Sequence, residues 1–120
     1  MAKKILIIDD DPDILEIISF VLSEEGYTVL TSTTGEETYR LSEIKPDLIL
    51  LDMRLSGTNT SGTEICTRLK AEHTTKELPV ILVSAEVDIK DLALNCGADD
   101  YIPKPFDIHE FAQKIKIFLK

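Results

Sequence analysis

The sequence predicts an α/β domain with a parallel sheet and helices on both faces, and three observations carry this. Apolar runs of strand length alternate with segments of helical period, giving five βα units. The first run, Lys3–Asp9, is apolar throughout its middle, as a strand covered on both faces should be. Right-handed crossovers then leave little choice but one parallel sheet. At 120 residues, with no internal repeat, low-complexity tract or linker, the chain reads as a single domain over residues 1–120.

Each element has a local reason. From Pro12 to Glu25, Ile14, Ile17, Ile18, Val21 and Leu22 recur at three- and four-residue steps, so a helix is expected with those residues inward. Pro12 suits a first turn and Gly26 a left-handed stop. Tyr27–Thr31 reads as the second strand and Gly35–Ile44 as a helix halted by Pro46. Asp47–Asp52 is the third strand, and the Ser, Gly, Thr and Asn of 56–61 make a loop. Glu64–Ala71 is helical with Ile65 and Leu69 inward; Val80–Val83 follows as the fourth strand. Asp88–Cys96 is a short helix closed by Gly97, and Asp100–Pro103 the fifth strand. The last helix, Phe106–Leu119, should bury Ile108, Phe111, Ala112, Ile115 and Leu119.

Composition narrows the function. The apolar fraction of 43% and charged fraction of 29% are ordinary for a globular domain. A net charge of −9 argues against nucleic acid as a direct ligand. The apolar runs are too short to span a membrane, and no signal peptide precedes the first strand, so a cytoplasmic location is expected. Cys66 and Cys96 make no disulfide framework and read as reduced, small buried side chains; His73 and His109 read as surface residues.

Strand ends carry the chemistry. The first strand runs into Asp9, Asp10 and Asp11, the third delivers Asp52, the fourth Ser84 and the fifth Lys104. In a parallel sheet these ends share one edge, where open α/β folds bind ligands. Three carboxylates gathered there repel one another unless one is protonated or a cation sits among them, and Mg2+ is the natural answer. Ser84 could donate to a phosphoryl oxygen and Lys104 could neutralise another. Asp52, alone at its strand end, is the best nucleophile for an aspartyl phosphate. Taken singly each residue has a plain reading as a cap or turn; their joint placement favours phosphoryl chemistry.

ILIIDDDPDI at 5–14, PDLILLDMRL at 46–55, PVILVSA at 79–85 and GADDYIPKPF at 97–106 resemble the signature blocks of response-regulator receiver domains, the CheY-like superfamily. The likeness covers essentially the whole chain. It implies a flavodoxin-like (βα)5 fold, a five-stranded parallel sheet in order 2-1-3-4-5. It implies Asp52 as phosphoacceptor, Asp9 and Asp10 as the acidic pair, and Mg2+ held by these carboxylates with the main-chain carbonyl of Arg54. Ser84 would be the switch hydroxyl, Tyr101 the switch aromatic, Lys104 the phosphate-pairing lysine, and Lys104–Pro105 a cis bond. The implied partner is a histidine kinase or histidine phosphotransfer protein, with an unknown downstream target and a phosphorylation-dependent dimer as a further form. The implied protein is no enzyme beyond catalysing its own phosphorylation and slow dephosphorylation.

Departures from the family pattern are a longer loop from Asp52 to Gly62, a shorter stretch from Ser84 to Tyr101, and Ser for the more frequent Thr at 84. Arg54 and Glu86 each follow a site residue by two positions, so an ion pair over the pocket mouth would slow loss of the phosphoryl group. The reading preferred from sequence is two solvated side chains whose exposed pairing contributes little. Leu15, at the edge of its helix stripe, is a candidate kinase contact, and Ile117 a candidate output or dimer contact. Three alternatives stay open. One is a receiver module from a longer transcription regulator or hybrid histidine kinase. The others are a small metal-dependent phosphohydrolase using Asp9-x-Asp11, and a flavin carrier, which the DDDPD run after the first strand disfavours.

Overall fold

The computed structural model describes residues 2–55 and 60–119. Five parallel strands form one sheet: β1 (Lys4–Ile8), β2 (Thr28–Ser32), β3 (Leu48–Leu51), β4 (Val80–Ser84) and β5 (Asp100–Pro103). Their order is β2-β1-β3-β4-β5, so the chain reverses its winding at β1 and β3, as expected from the resemblance. The helices are α1 (Pro12–Glu24), α2 (Leu41–Ile44), α3 (Gly62–Ala71), α4 (Ile89–Cys96) and α5 (Ile108–Phe118).

Alternation along the central strands builds a core on each face of the sheet. Leu6, Ile8, Ile49, Leu51, Val80 and Leu82 point to the side covered by α2, α3 and α4, where Leu41, Ile65, Leu69 and Ala93 meet them. Ile5, Ile7, Leu48, Leu50, Ile81 and Val83 point the other way, against Leu15, Ile18 and Leu22 of α1 and Phe111 and Ile115 of α5. The helix ends are set locally. The Asp11 carboxylate accepts the Asp13 and Ile14 amides at the start of α1, and Ser61 with Glu64 makes a capping box on α3. Gly97 closes α4 with a φ of +82°.

The structure corrects three expectations. Leu15 is buried at 7% exposure, whereas Ile17 is 48% exposed, so α1 is rotated from the stripe read in sequence and Leu15 is no partner contact. Apolar residues cover more than half of this helix's circumference, and periodicity alone does not choose which wedge meets the sheet. Ile108 is likewise exposed at the start of α5; Phe111 and Ile115 fill that core instead. The helix expected over Gly35–Ile44 breaks into a 3₁₀ turn, Glu36–Tyr39, and the short α2. Hydroxyl bonds compete with a continuous helix there: Ser32 Oγ accepts the amides of Thr34 and Gly35, and Thr38 Oγ1 donates to the Gly35 carbonyl. Of the loop expected at 56–61, residues 56–59 lie outside the described residues.

Candidate functional site

Every strand that ends on a chemical residue ends at the same edge. β1 delivers Asp9 and Asp10, β3 delivers Asp52, Ser84 closes β4, and Lys104 follows β5. Asp9, Asp10, Asp11, Asp52, Arg54, Ser84, Ala85, Glu86 and Lys104 line one cavity of about 300 Å³. Carboxylate oxygens of Asp9, Asp10 and Asp52 lie within 4.8 Å of one another.

Neighbouring backbone and one cation orient these groups. The Asp11 amide donates to Asp9 Oδ1 at 3.0 Å, and Lys104 Nζ donates to Asp9 Oδ2 at 2.7 Å. That ammonium is also 3.6 Å from Asp52 Oδ2. The Asp52 amide donates to the Ile8 carbonyl at 2.8 Å, so the residue after β3 is tied to β1. Burial and the negative charge of Asp9 push the Asp52 carboxyl up to about 6, against the pull of Lys104 and the Met53 amide. Ser84 is buried, and its hydroxyl accepts the Glu86 amide at 3.2 Å. The Lys104 amide donates to the Ser84 carbonyl, and the Lys104–Pro105 peptide is cis, as expected.

At the rim, Arg54 and Glu86 approach to 3.7 Å, with the Arg54 side chain 78% exposed. Tyr101 packs half-buried against the α3–α4 side of the core, its ring centroid 5.8 Å from the Lys114 ammonium. The predicted site residues Asp9, Asp10, Asp52, Arg54, Ser84 and Lys104 therefore converge on one cavity, and Tyr101 is not among the residues that line it. Gly62 escaped the sequence reading. A Cβ on it would lie 1.9 Å from the Asp52 carbonyl oxygen, so only glycine lets α3 begin this close to the acceptor strand. The available signal was a Gly immediately before a helical pattern and after a polar loop.

Residues 5–116 match the response regulator receiver domain model. The chain belongs to the response regulator receiver domain family. This receiver is 41% identical over 123 residues to the phosphate regulon transcriptional regulatory protein PhoB of Pseudomonas aeruginosa, covering 100% of the chain and 53% of that protein. The receiver thus spans about half the length of the curated relative it matches. It is also similar to a CheY-like receiver domain protein of Methanospirillum hungatei, at 32% identity and TM-score 0.86, covering 99% of this chain and 94% of that one. A third likeness is the receiver domain of a signal transduction histidine kinase from Syntrophus aciditrophicus, at 36% identity and TM-score 0.87, covering 98% and 90%. Family membership places the receiver in two-component signalling. Among the described residues, no helix is long and apolar enough to cross a membrane.

Proposed function

We propose that this domain accepts a phosphoryl group on Asp52 from a phosphohistidine donor in the presence of Mg2+, and that the modification changes the face it offers to partners. The observation that carries the reading is the meeting, at one sheet edge, of Asp9, Asp10 and Asp52 oxygens within 4.8 Å, with the Lys104 ammonium 3.6 Å from Asp52.

The donor set suits a hard divalent cation: three carboxylates face one ammonium, which leaves net negative charge on oxygen ligands. Asp10, Asp52 and the Arg54 carbonyl would hold the ion, with Asp9 completing the acidic set. When bound, Mg2+ offsets the charge that gathers on the carboxylates and the phosphoryl oxygens. The rest falls to the protein. A carboxylate oxygen of Asp52 attacks phosphorus, its O–P bond forming as the donor's N–P bond breaks. Lys104, already pinned beside Asp9 and Asp52, pairs with one phosphoryl oxygen, and the Ser84 hydroxyl donates to another. The new charge at the end of β3 then biases the neighbouring β4–α4 and β5 segments, with Tyr101 following. Water later cleaves the O–P bond slowly, which resets the switch.

The phosphohistidine belongs to a histidine kinase or a histidine phosphotransfer protein, and the downstream partner is a protein, including a second copy of this domain. Residues 1–120 act as one receiver domain, and the cytoplasm, where such kinases present phosphohistidine, is its place of work. A phosphohydrolase using Asp9 and Asp11 is disfavoured, because the Asp11 carboxylate caps α1. Incubation with acetyl phosphate and Mg2+, followed by intact mass, tests the proposal. A phosphoryl adduct is expected on the wild type and none on Asp52→Ala or in excess EDTA. An adduct retained by folded Asp52→Ala overturns the assignment.

A second reading rests on the PhoB likeness, in which the chain spans 53% of its relative: the domain is the receiver module of a longer transcription regulator. An immunoblot of the native host against this domain decides it, through the size of the natural product.

A further inference from the structure

β5 lies at an edge of the sheet, and its second residue, Tyr101, is gripped there from the opposite face. Tyr101 packs on the side covered by α3 and α4, whereas α5 lies on the other side, through Phe111 and Ile115. Lys114, just before Ile115 on α5, reaches round the β5 edge. Its ammonium donates to the Tyr101 carbonyl at 3.2 Å and to Asp100 Oδ1 at 3.5 Å, and approaches Asp100 Oδ2 at 3.4 Å. It also stands 5.8 Å from the Tyr101 ring centroid. Asp100 Oδ1 in turn accepts the Tyr101 amide at 2.8 Å. Amide, carbonyl and ring of one residue are thus tied to a single ion pair, outside the acidic cavity.

An exposed Lys–Asp pair by itself contributes little. Here the two side chains are only 39% and 30% exposed, and the cation also faces a ring, which adds an attraction large enough to bias a side chain between two positions. Lys114 has room to leave. Cavities of about 190 Å³ and 360 Å³ flank its side chain. The strand carries any displacement to the acidic cavity, because Lys104 follows Tyr101 after Ile102 and Pro103. The Lys104 amide is on the Ser84 carbonyl and its ammonium on Asp9.

We propose that Lys114, paired with Asp100, is a clamp that holds Tyr101 in its half-buried position in the unmodified domain, and that the phosphoryl group works against this clamp. The first half stands on the contacts alone; the second rests on the phosphoacceptor reading above. With the clamp closed, β5 keeps Lys104 beside Asp9. A phosphoryl oxygen that draws Lys104 away pulls on β5, and the Lys114 contacts with Tyr101 are the ones that give. Coupling of this kind is reciprocal, so loosening the clamp favours the phosphoryl-bearing form.

Fluorine NMR of the domain labelled with 3-fluorotyrosine tests it. The chain has three tyrosines, and the Tyr101 signal is the one lost in Tyr101→Phe. Without phosphodonor, Lys114→Met, which keeps the stem and removes the charge, should move that signal and leave those of Tyr27 and Tyr39 in place. Asp100→Asn, which keeps an oxygen for the Tyr101 amide but drops the pairing charge, should move it the same way, and Lys114→Arg should restore it. With acetyl phosphate and Mg2+, and uptake followed by intact mass, the wild-type signal should move in that direction too. Lys114→Met should take up the phosphoryl group about two- to fivefold faster. A wild-type Tyr101 signal in folded Lys114→Met and Asp100→Asn overturns the clamp, as does a displacement in Lys114→Arg equal to that in Lys114→Met. An adduct that leaves the wild-type Tyr101 signal unmoved overturns the coupling. No adduct on the wild type sinks the phosphoacceptor reading instead, and the comparison of unmodified proteins still decides the clamp.

Discussion

At Gly62 the chain accepts a contact no other residue could make, since a Cβ there would stand 1.9 Å from the Asp52 carbonyl oxygen. The clash is with backbone, so relief requires α3 or the acceptor strand to move. Gly62→Ala is expected to cost about 1–3 kcal/mol of unfolding free energy. The same substitution should lower the rate of phosphoryl uptake from acetyl phosphate, because Asp52 moves with its carbonyl. Denaturant titration and intact-mass kinetics check the two effects. The Arg54–Glu86 pair lies at the other extreme of constraint: at 3.7 Å and largely solvated, it adds little to stability. Arg54→Ala should leave the melting temperature unchanged and speed phosphoryl loss about twofold, the rate equivalent of the roughly 0.5 kcal/mol an exposed pair contributes. An unchanged lifetime would remove any shielding role. These two features differ in how far sequence reasoning reached them. Spacing from site residues pointed to Arg54 and Glu86, whereas the need for glycine arises from a backbone approach that spacing does not encode.

α1 shows what an element keeps and what it surrenders to its neighbours. Its length, Pro12 start and Asp11 cap follow from local chemistry. Which wedge faces the sheet does not, because apolar residues spread around so much of the helix. The result places Leu15, Ile18 and Leu22 against β1 and β3 residues and leaves Phe20 67% exposed. Leu15→Ala should therefore cost about 2–5 kcal/mol, and Phe20→Ala should fall within about 0.5 kcal/mol of wild type. Equal, small effects of both in chemical denaturation would reject this orientation. The segment after β2 departs further from its pattern. Ser32 and Thr38 are buried hydroxyls that bind the local backbone, and their bonds replace the continuous helix that Gly35–Ile44 suggested. Such hydroxyl-for-amide exchanges depend on burial, which is a property of the folded chain.

Across the whole molecule, the acidic cavity opposes folding unless its charge is met. The Asp52 carboxyl is raised from 3.8 to about 6 in the folded, metal-free domain. The folded state then holds the proton where the unfolded chain has released it, so this group's contribution is fully present below about pH 4 and is lost as pH rises through about 6. In EDTA, wild-type stability measured relative to Asp52→Asn should fall across that window. Mg2+ should raise the melting temperature more at pH 7 than at pH 5, since it binds the ionised carboxylates. A relative stability that rises from pH 4 to pH 6 in EDTA would falsify the linkage. The alternation of strands and helices, the doubly covered sheet and the strand-end residues Asp9, Asp10, Asp52, Ser84 and Lys104 were all legible in the sequence. Strand periodicity and crossover handedness are local or topological rules, and they fix which residues arrive at which edge. The tertiary structure alone decided the rotation of α1, the demand for glycine at position 62 and the meeting of Cys66 with Cys96. Each of those depends on how closely packed surfaces approach in space, a quantity that no periodicity along the chain contains.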